Sequence, residues 1–149
     1  MNLMRRTVLK FGVLAAAAAC HLLKPSLGWA WNKAAFESKA LVDALKSLGA
    51  TSLIESRDIT ITAPDIAENG AVVPVAVTSK IPNTQSIAIL AEKNPFPLAA
   101  SFDLTGGGEP YVSVRLKMGQ TSNVYAIVKA DGKFYSALKE VKVTIGGCG

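Results

Sequence analysis

The stretch Tyr111-Val-Ser-Val-Arg-Leu-Lys-Met118 decides the fold, because apolar and polar side chains alternate along it. Successive side chains of a β-strand point to opposite faces, so Val112, Val114, Leu116 and Met118 share one face. A period of two over this length is typical of a strand with one apolar face. The segment is therefore predicted to be a strand whose apolar face is covered by other parts of the chain.

Other short runs rich in β-forming residues lie on both sides of this stretch, separated by Gly, Pro, Asn and Asp. They are Asp58–Ala63, Val72–Thr78, Ser86–Glu92, Ala99–Leu104, Asn123–Lys129 and Lys133–Val143. Asp131-Gly132 lies between the last two runs and predicts a tight hairpin turn. Seven strands at this spacing indicate an all-β fold over residues 51–145, an antiparallel β-sandwich of the immunoglobulin type. A partly open barrel is the alternative.

A helical pattern precedes the strands, over residues 31–50. Asn32 is a candidate N-cap and Gly49 a candidate stop signal. Between them, apolar side chains recur at steps of three and four: Phe36, Ala40, Leu41, Ala44, Leu45 and Leu48. The spacing predicts one helix whose apolar stripe packs onto a core or a partner. Two apolar runs among the strands, Ala71–Val77 and Ser86–Leu90, also suggest an edge or face that a partner covers.

Residues 1–30 have the features of an export signal. Arg5 and Arg6 precede the apolar run Phe11–Leu23, which is shorter than the ~20 residues that a membrane span needs. The paired arginines and the Val-Leu-Lys after them resemble the twin-arginine signal, which exports folded proteins to the periplasm. Gly28-Trp-Ala30 has the small-x-small pattern of a signal-peptidase site. We therefore expect a twin-arginine signal peptide that is cleaved after Ala30.

The charge balance changes once residues 1–30 are set apart. The chain of 149 residues carries 16 basic and 11 acidic residues, a net charge of +5. Four of the basic residues and none of the acids lie in residues 1–30, so 12 basic and 11 acidic residues remain. A net charge of +1 provides no basic surface for nucleic acid or an anionic membrane. The remainder has the length of one ordinary domain and can build a core without disulfides.

Residues 31–149 lack the side chains that common active sites need. The single histidine, His21, lies in the predicted signal, so Cys-His and Ser-His pairs are excluded. One cysteine cannot form a Cys-x-x-Cys dithiol or a Cys/His zinc site. Asp58, Asp65, Glu68 and Asp103 lie scattered at turns as solvated acids, with a calcium site as the alternative. We therefore expect a protein that is not an enzyme and that needs no metal or cofactor.

Cys148 is the one thiol that remains after the predicted signal, and glycines surround it: Gly146, Gly147 and Gly149. Glycine has no Cβ, so residues 146–149 are predicted to form a slim, flexible arm that can enter a narrow channel. A free thiol is mostly protonated at neutral pH, so activation has to come from a receiving pocket. This favours a carrier whose cysteine holds a covalently attached group. A periplasmic interaction module with an incidental or disulfide-forming thiol, and a thiol enzyme, are the alternatives.

The sequence resembles the SoxY family, the substrate carriers of the bacterial Sox thiosulfate-oxidising system. The resemblance covers most of residues 31–149, and its most specific part is Lys139-Glu-Val-Lys-Val-Thr-Ile-Gly-Gly-Cys-Gly149. Other similar stretches are Pro64–Pro74, Lys117-Met118, Thr121–Val124 and Val128–Tyr135. The usual family ending has two glycines after the cysteine, whereas this chain has one. The Gly-Gly-Cys to which the resemblance assigns the carrier chemistry is matched by Gly146, Gly147 and Cys148.

The resemblance implies an immunoglobulin-like sandwich that pairs with SoxZ, a small β-sandwich partner, and it implies that Cys148 is the attachment site. The SoxAX cytochrome would join thiosulfate oxidatively to this cysteine as an S-thiosulfonate. SoxB would then hydrolyse the terminal sulfonate, releasing sulfate and leaving a persulfide. A sulfur dehydrogenase is a further transient partner that the resemblance leaves open. A twin-arginine signal fits this system, because one signal can export a folded pair to the periplasm.

The predicted export signal can be tested by amino-terminal sequencing of the exported protein. Cleavage after Ala30 is expected to give Trp31 as the first residue. Two alternatives have other signatures. A Sec signal would be recognised by export that continues when the twin-arginine route is blocked. A lipoprotein would give a blocked amino terminus at Cys20, which would contradict cleavage at Ala30.

Overall fold

The computed structural model describes residues 32–104 and 109–144. The chain divides into two units, Met1–Trp31 and Asn32–Gly149, and the described residues belong to the second. They form two helices, α1 (Lys33–Glu37) and α2 (Leu41–Ser47), followed by strands. The strands are β1 (Leu53–Glu55), β2 (Ile59–Thr62), β3 (Ile66–Ala67), β4 (Val73–Ser79), β5 (Thr84–Ala91), β6 (Leu98–Asp103), β7 (Tyr111–Leu116), β8 (Ser122–Ala130) and β9 (Lys133–Val143). The predicted export signal, with Arg5 and Arg6, lies outside the described residues.

Two sheets pack face to face. The larger has the order β1-β9-β8-β5-β6, with β3 also paired to β9, and the smaller has the order β2-β4-β7. The pairs are antiparallel except β1–β9 and β3–β9, which are parallel. Apolar side chains from both sheets, among them Val75, Ile89 and Val128, form one core between them. The immunoglobulin-like β-sandwich predicted from the sequence is confirmed.

The seven predicted strands are present as β2 and β4–β9, each within two residues of the predicted bounds. Within β7, Val112 and Leu116 are buried while their neighbours in the strand are more exposed, as the alternation indicates. The turn between β8 and β9 is also confirmed. Asp131 and Gly132 have φ of 48° and 73°, and a two-residue turn of type I′ requires positive φ at both positions.

The sequence pattern does not predict β1 and β3, which both pair with the outer edge of β9. Between them the chain crosses to the smaller sheet as β2 and pairs with β4. β1 has three residues and β3 has two, so neither is long enough to show a period in the sequence. Their pairing covers parts of an edge whose backbone groups would otherwise face solvent.

The helical segment is interrupted, whereas the sequence predicts one helix over residues 31–50. Asn32 caps α1 as predicted, and its Oδ1 accepts a hydrogen bond from the Ala35 amide at 3.1 Å. The chain is extended at Ser38 before α2 begins. Ala35 and Ala44 are nine residues apart, which is about 900° around a helix, so one straight helix would place them on opposite sides. The interruption lets both pack in one core under the large sheet, where each is fully buried.

No helix in residues 32–104 and 109–144 combines the length and the hydropathy that crossing a bilayer requires. The two helices instead form a third layer on the outer face of the large sheet. Ala44 contributes to this layer together with Leu90 of β5 and Ile127 of β8. The described chain therefore has one core on each face of its larger sheet.

Strand β5 lies in the middle of the large sheet, and both of its faces are covered. Ile87 and Ile89 belong to the core between the sheets, whereas Ala88 and Leu90 belong to the core under the helices. Burial on both faces explains a continuous apolar run without any partner. The inward residues of the other run are also in the core of this chain: Val73, Val75 and Val77. The expectation that a partner covers these runs is therefore corrected for Ser86–Leu90, because the layers of the chain itself bury both of its faces. In Ala71–Val77 the chain buries only the inward face, and Val72 is 50% exposed.

The position of β5 predicts a large effect of truncation there. Ile89→Ala is expected to lower the free energy of unfolding by about 2–5 kcal/mol, because the fully buried side chain leaves a cavity between the sheets. Leu138→Ala is the matched control, since Leu138 is 59% exposed and its loss should cost about 0.5 kcal/mol or less. Urea unfolding curves of both variants measure the difference. Equal losses would contradict the placement of β5 between two cores.

Candidate functional site

The functional residues predicted from the sequence lie beyond the end of the described chain. Cys148 and the predicted arm residues Gly146, Gly147 and Gly149 fall outside the described residues, which end at Thr144. The described part of the candidate site is therefore the end of β9, from which the last five residues depart. We call the end of β9, together with the residues bonded to it, the base of the carboxyl-terminal segment. Its arrangement decides where that segment begins.

On one side, the base is bonded to the segment Pro64–Pro74, which contains β3. The Lys142 amide donates to the carbonyl oxygen of Asp65 at 3.0 Å, and the Thr144 amide donates to that of Ala67 at 3.1 Å. The Thr144 hydroxyl donates to the same Ala67 oxygen at 3.4 Å. Each such bond contributes roughly 1 kcal/mol net. One short segment thus holds the strand up to the last described residue.

On the other side, the base is bonded to β8 and the residue before it. Val141 is fully buried and pairs with Ser122 of β8. Two residues further on, the Val143 amide donates to the hydroxyl oxygen of Thr121 at 3.0 Å. Successive amides of an extended strand point to opposite sides. Thr121 therefore accepts from the Val143 amide, whereas the segment Pro64–Pro74 accepts from the amides of the residues on either side of Val143. The strand end is therefore held from both sides.

Gly70 allows this segment to lie close against the rest of the body. Its carbonyl oxygen accepts a hydrogen bond from the Met118 amide at 2.6 Å. A Cβ at this position would overlap the carbonyl oxygen of Met118 and would lie 2.8 Å from Cγ1 of Val143. Its φ lies outside the left-handed region, so the requirement for glycine comes from space and not from conformation. Gly70 thus links β3, the end of β7 and the end of β9.

The side chain of Lys139 adds an ion pair to the base. Its Nζ lies 3.0 Å from Oδ1 of Asp65 and donates to the carbonyl oxygen of Ala63 at 2.7 Å. Because the Asp65 side chain is 89% exposed, water screens the ion pair, and such pairs stabilise by about 0–1 kcal/mol. Backbone pairing therefore contributes more than this charge to the position of the strand end.

The described acids do not assemble a metal site. Within residues 32–104 and 109–144, no three His, Cys, Asp or Glu side chains group in a way that could hold an ion. Asp65, one of the four acids for which the sequence leaves a calcium site as the alternative, pairs with Lys139 instead.

The one resolved pKa shift among the described residues lies away from the base. Burial and, to a smaller extent, the charge of Glu92 raise the pKa of Tyr125, so this phenol is neutral at physiological pH. Tyr125 packs against the core under the helices.

The fold and the base together define a class of protein: a small immunoglobulin-like sandwich whose last strand is bonded to its body up to the start of a short terminal segment. A family model described as sulfur oxidation protein SoxY matches residues 45–148. The matched range contains the described sandwich and ends on Cys148. The chain belongs to the SoxY family of sulfur carrier proteins, which act in sulfur oxidation.

A solved structure agrees with this assignment. The sulfur carrier protein SoxY from Chlorobium limicola f thiosulfatophilum is 45% identical, with a TM-score of 0.62. The match covers 70% of this chain and 96% of that one. An engineered protein is 16% identical over 58% of this chain and 20% of its own, with a TM-score of 0.43. No curated protein matches the chain.

Sequence reasoning missed the residues that build the base. Glu68-Asn69-Gly70 reads as a break between strands, which is correct but hides the close packing of Gly70. The Pro64–Pro74 stretch could have indicated this packing, because its resemblance to the SoxY family continues through a loop that contains few core residues. A loop with specific residues suggests a specific contact. The partner of that contact, the end of β9, is more than 70 residues away in sequence.

The packing of Gly70 can be tested with a matched pair of glycine substitutions. Gly70→Ala is expected to lower the free energy of unfolding by about 1–3 kcal/mol, because its Cβ meets backbone that has to move. Gly119→Ala is the control, since a Cβ there meets nothing within 4 Å. Hydrogen exchange should show faster exchange of the Val143 and Thr144 amides in Gly70→Ala alone. Unchanged exchange of these amides would contradict the role of Gly70 in the base.

Proposed function

We propose that the protein is a periplasmic sulfur carrier that holds thiosulfate-derived intermediates on Cys148 and presents them to separate enzymes. The observation that carries this proposal is the SoxY family match, which runs through the base and ends on Cys148. The carrier named in the similar solved structure supports the same activity. In this proposal the folded body positions the terminal segment and the partner enzymes supply the chemistry.

The first step is the oxidative attachment of thiosulfate. The Cys148 thiolate and the outer sulfur of thiosulfate form a new S–S bond, and two electrons pass to the accepting cytochrome, SoxAX. The product is a cysteine S-thiosulfonate. Residues 31–149 contain no histidine that could serve as a base, so the receiving pocket has to take up the proton of the thiol. This requirement favours a carrier over a self-sufficient thiol enzyme.

The second step is hydrolysis of the attached group by SoxB. Water attacks the sulfonate sulfur, the bond between that sulfur and its neighbour breaks, and sulfate leaves with its two charges. The electron pair of the broken bond remains on the carrier as a persulfide, and two protons are released. A sulfur dehydrogenase is a candidate to act on this persulfide afterwards. Each enzyme meets the same cysteine, so the cysteine has to be presented repeatedly.

The length of the terminal segment sets the reach of the thiol. Cys148 lies four residues beyond Thr144, and an extended chain spans at most about 3.6 Å per residue, so their Cα atoms are at most roughly 14 Å apart. Gly146 and Gly147 add no side-chain width along this path, so the segment suits a narrow channel. We propose that residues 146–149 act as the flexible arm of the carrier, starting from the base at β9.

The partners and the compartment are part of the same proposal. SoxZ is the proposed partner in a heterodimer, and SoxAX and SoxB are the proposed transient partners. Arg5 and Arg6 support export of the folded protein by the twin-arginine route. Co-export of SoxZ, which would carry no signal itself, would follow from pairing before export.

Intact-mass measurement tests the proposed attachment. After incubation with thiosulfate, SoxZ and SoxAX, the protein is expected to gain the mass of one thiosulfonate, and addition of SoxB should convert it to a persulfide. Peptide mapping should place both on Cys148. A thiol that stays unmodified while the partner complex forms would contradict the carrier function and would favour the interaction-module alternative.

Cys148→Ser separates the attachment chemistry from the folded body. Thiosulfate oxidation in the reconstituted system is expected to fall to background, because serine cannot form the S–S bond. The melting temperature and the complex with SoxZ should be unchanged, since the described sandwich ends before this residue. Residual turnover near the wild-type rate would contradict Cys148 as the attachment site.

A further inference from the structure

We propose that Asn69-Gly70 is a site of spontaneous covalent modification, at which the Asn69 amide is converted to aspartate and isoaspartate, and that the isoaspartate loosens the base. Asn69-Gly70 is the one Asn-Gly pair in the sequence. The reaction is intramolecular, with water as the co-reactant, and it needs no enzyme. The inference goes beyond the proposed function, because it concerns the folded body and holds whether or not Cys148 carries sulfur.

The reaction begins with attack of the Gly70 nitrogen on Cγ of Asn69. A new C–N bond closes an imide ring, the bond from Cγ to the side-chain nitrogen breaks, and that nitrogen leaves as ammonia with the proton of the Gly70 amide. Water then opens the ring at either carbonyl. Opening at Cγ gives aspartate, whereas opening at the main-chain carbonyl carbon gives isoaspartate, whose main chain runs through Cβ and Cγ. No electrons are exchanged, so neither an oxidant nor a reductant is required.

The attacking amide is sterically open and has no hydrogen bond to give up. Glycine has no Cβ, so no side chain shields the Gly70 nitrogen. Among the residues that the structure describes, none accepts a hydrogen bond from the Gly70 amide. The next two amides, of Ala71 and Val72, both donate to oxygens of Asn69. The nitrogen that has to react is therefore the one that this turn leaves available.

The Asn69 side chain is folded toward that nitrogen. Its Oδ1 accepts a hydrogen bond from the Ala71 amide at 2.9 Å. This bond closes a ring of atoms that includes both Cγ and the Gly70 nitrogen, which brings the two reacting atoms to the inside of the turn. The same donor stabilises the negative charge that develops on Oδ1 during the attack. Asn69 is exposed, so water reaches the imide and opens it.

The packing around Gly70 does not accommodate isoaspartate. The modification inserts one carbon into the main chain, which lengthens it by about 1.5 Å. It also turns the main-chain carbonyl of residue 69, which accepts from the Val72 amide at 3.3 Å, into a free carboxylate. On the other side, Gly70 lies so close to Met118 and Val143 that no space remains for a Cβ. A longer chain before Gly70 therefore displaces it from Met118 and weakens its contact with the end of β9.

Two other asparagines serve as internal controls. Asn94 precedes Pro95, whose nitrogen carries no hydrogen and cannot close the imide ring. Asn123 lies in β8 before Val124, a fully buried β-branched residue whose side chain hinders attack. Conversion is therefore expected at Asn69 and not at these two positions.

Timed incubation of the full chain tests the reactive site. The protein is kept reduced in mildly alkaline buffer, and peptide mapping follows the mass gain of the amide-to-acid conversion. Enzymatic methylation of the free α-carboxylate distinguishes isoaspartate from aspartate. Asn69 in the folded chain is expected to convert within about tenfold of its rate in guanidinium-unfolded chain, because an exposed turn needs only local motion. A larger slowing in the folded chain, or equal conversion at Asn94 or Asn123, would overturn the site.

Hydrogen exchange tests the consequence for the base. In the isoaspartate form, separated by ion-exchange chromatography, the Val143 and Thr144 amides are expected to exchange roughly tenfold faster than in the unmodified protein. Freshly purified Asn69→Asp is the matched control, because it adds a carboxylate without lengthening the main chain. Asn69→Ser removes the reactive amide, and its hydroxyl can accept from Ala71 in the same turn. This variant should stay unmodified and keep the slow exchange after incubation.

The results separate the backbone change from the added charge. Faster exchange in the isoaspartate form alone supports the proposal. Equal exchange in the isoaspartate form and in the unmodified protein overturns the link to the base, and so does equally fast exchange in Asn69→Asp. These measurements do not involve sulfur chemistry, so a failure of attachment at Cys148 would leave them unaffected.

Discussion

Backbone pairing along β9 is the constraint on which the rest of the structure depends. This strand of 11 residues joins β8 on one side to β1 and β3 on the other. Its last amides donate to Asp65, Ala67 and Thr121, which belong to chain segments far from it in sequence. The position of Thr144 is therefore determined by the whole sandwich. In the proposed carrier, this gives a reactive group with a short tether a reproducible starting point.

The two cores explain why the body can serve as a stable platform. The buried apolar residues of the described chain extend from Ala35 to Val141 and lie on both faces of the large sheet. Because β5 is covered on both faces, the large sheet is held by helices as well as by the smaller sheet. In the proposed carrier, chemistry on Cys148 would thus take place beyond the residues that supply most of the buried area. The proposed reaction site and the residues that stabilise the sandwich are separated along the chain.

Most of the fold can be predicted from periodicity, and the base of the site cannot. Alternation predicts β7, and Asp131-Gly132 predicts the β8–β9 turn, because both signals are local. The break at Ser38 is not visible in the sequence, because the predicted helical pattern runs from Phe36 to Leu48 without interruption. Only the structure shows that Ala35 and Ala44 are buried in the same core. β3 and the role of Gly70 depend on a contact between distant parts of the chain. Cys148 is predicted as the attachment site from its glycine neighbours and the family resemblance, and it lies outside the described residues.

The parallel pairing of β3 with β9 has a mechanical consequence for the proposed carrier, which would be passed from one enzyme to another. A pull along the axis of β9 loads its hydrogen bonds to β8 and β3 in shear, all together. A strand end that was pulled at a right angle to its axis and paired with one neighbour would lose its hydrogen bonds one after another. In the proposed function, the sandwich would therefore be withdrawn from one partner and engaged by the next without unfolding from its end.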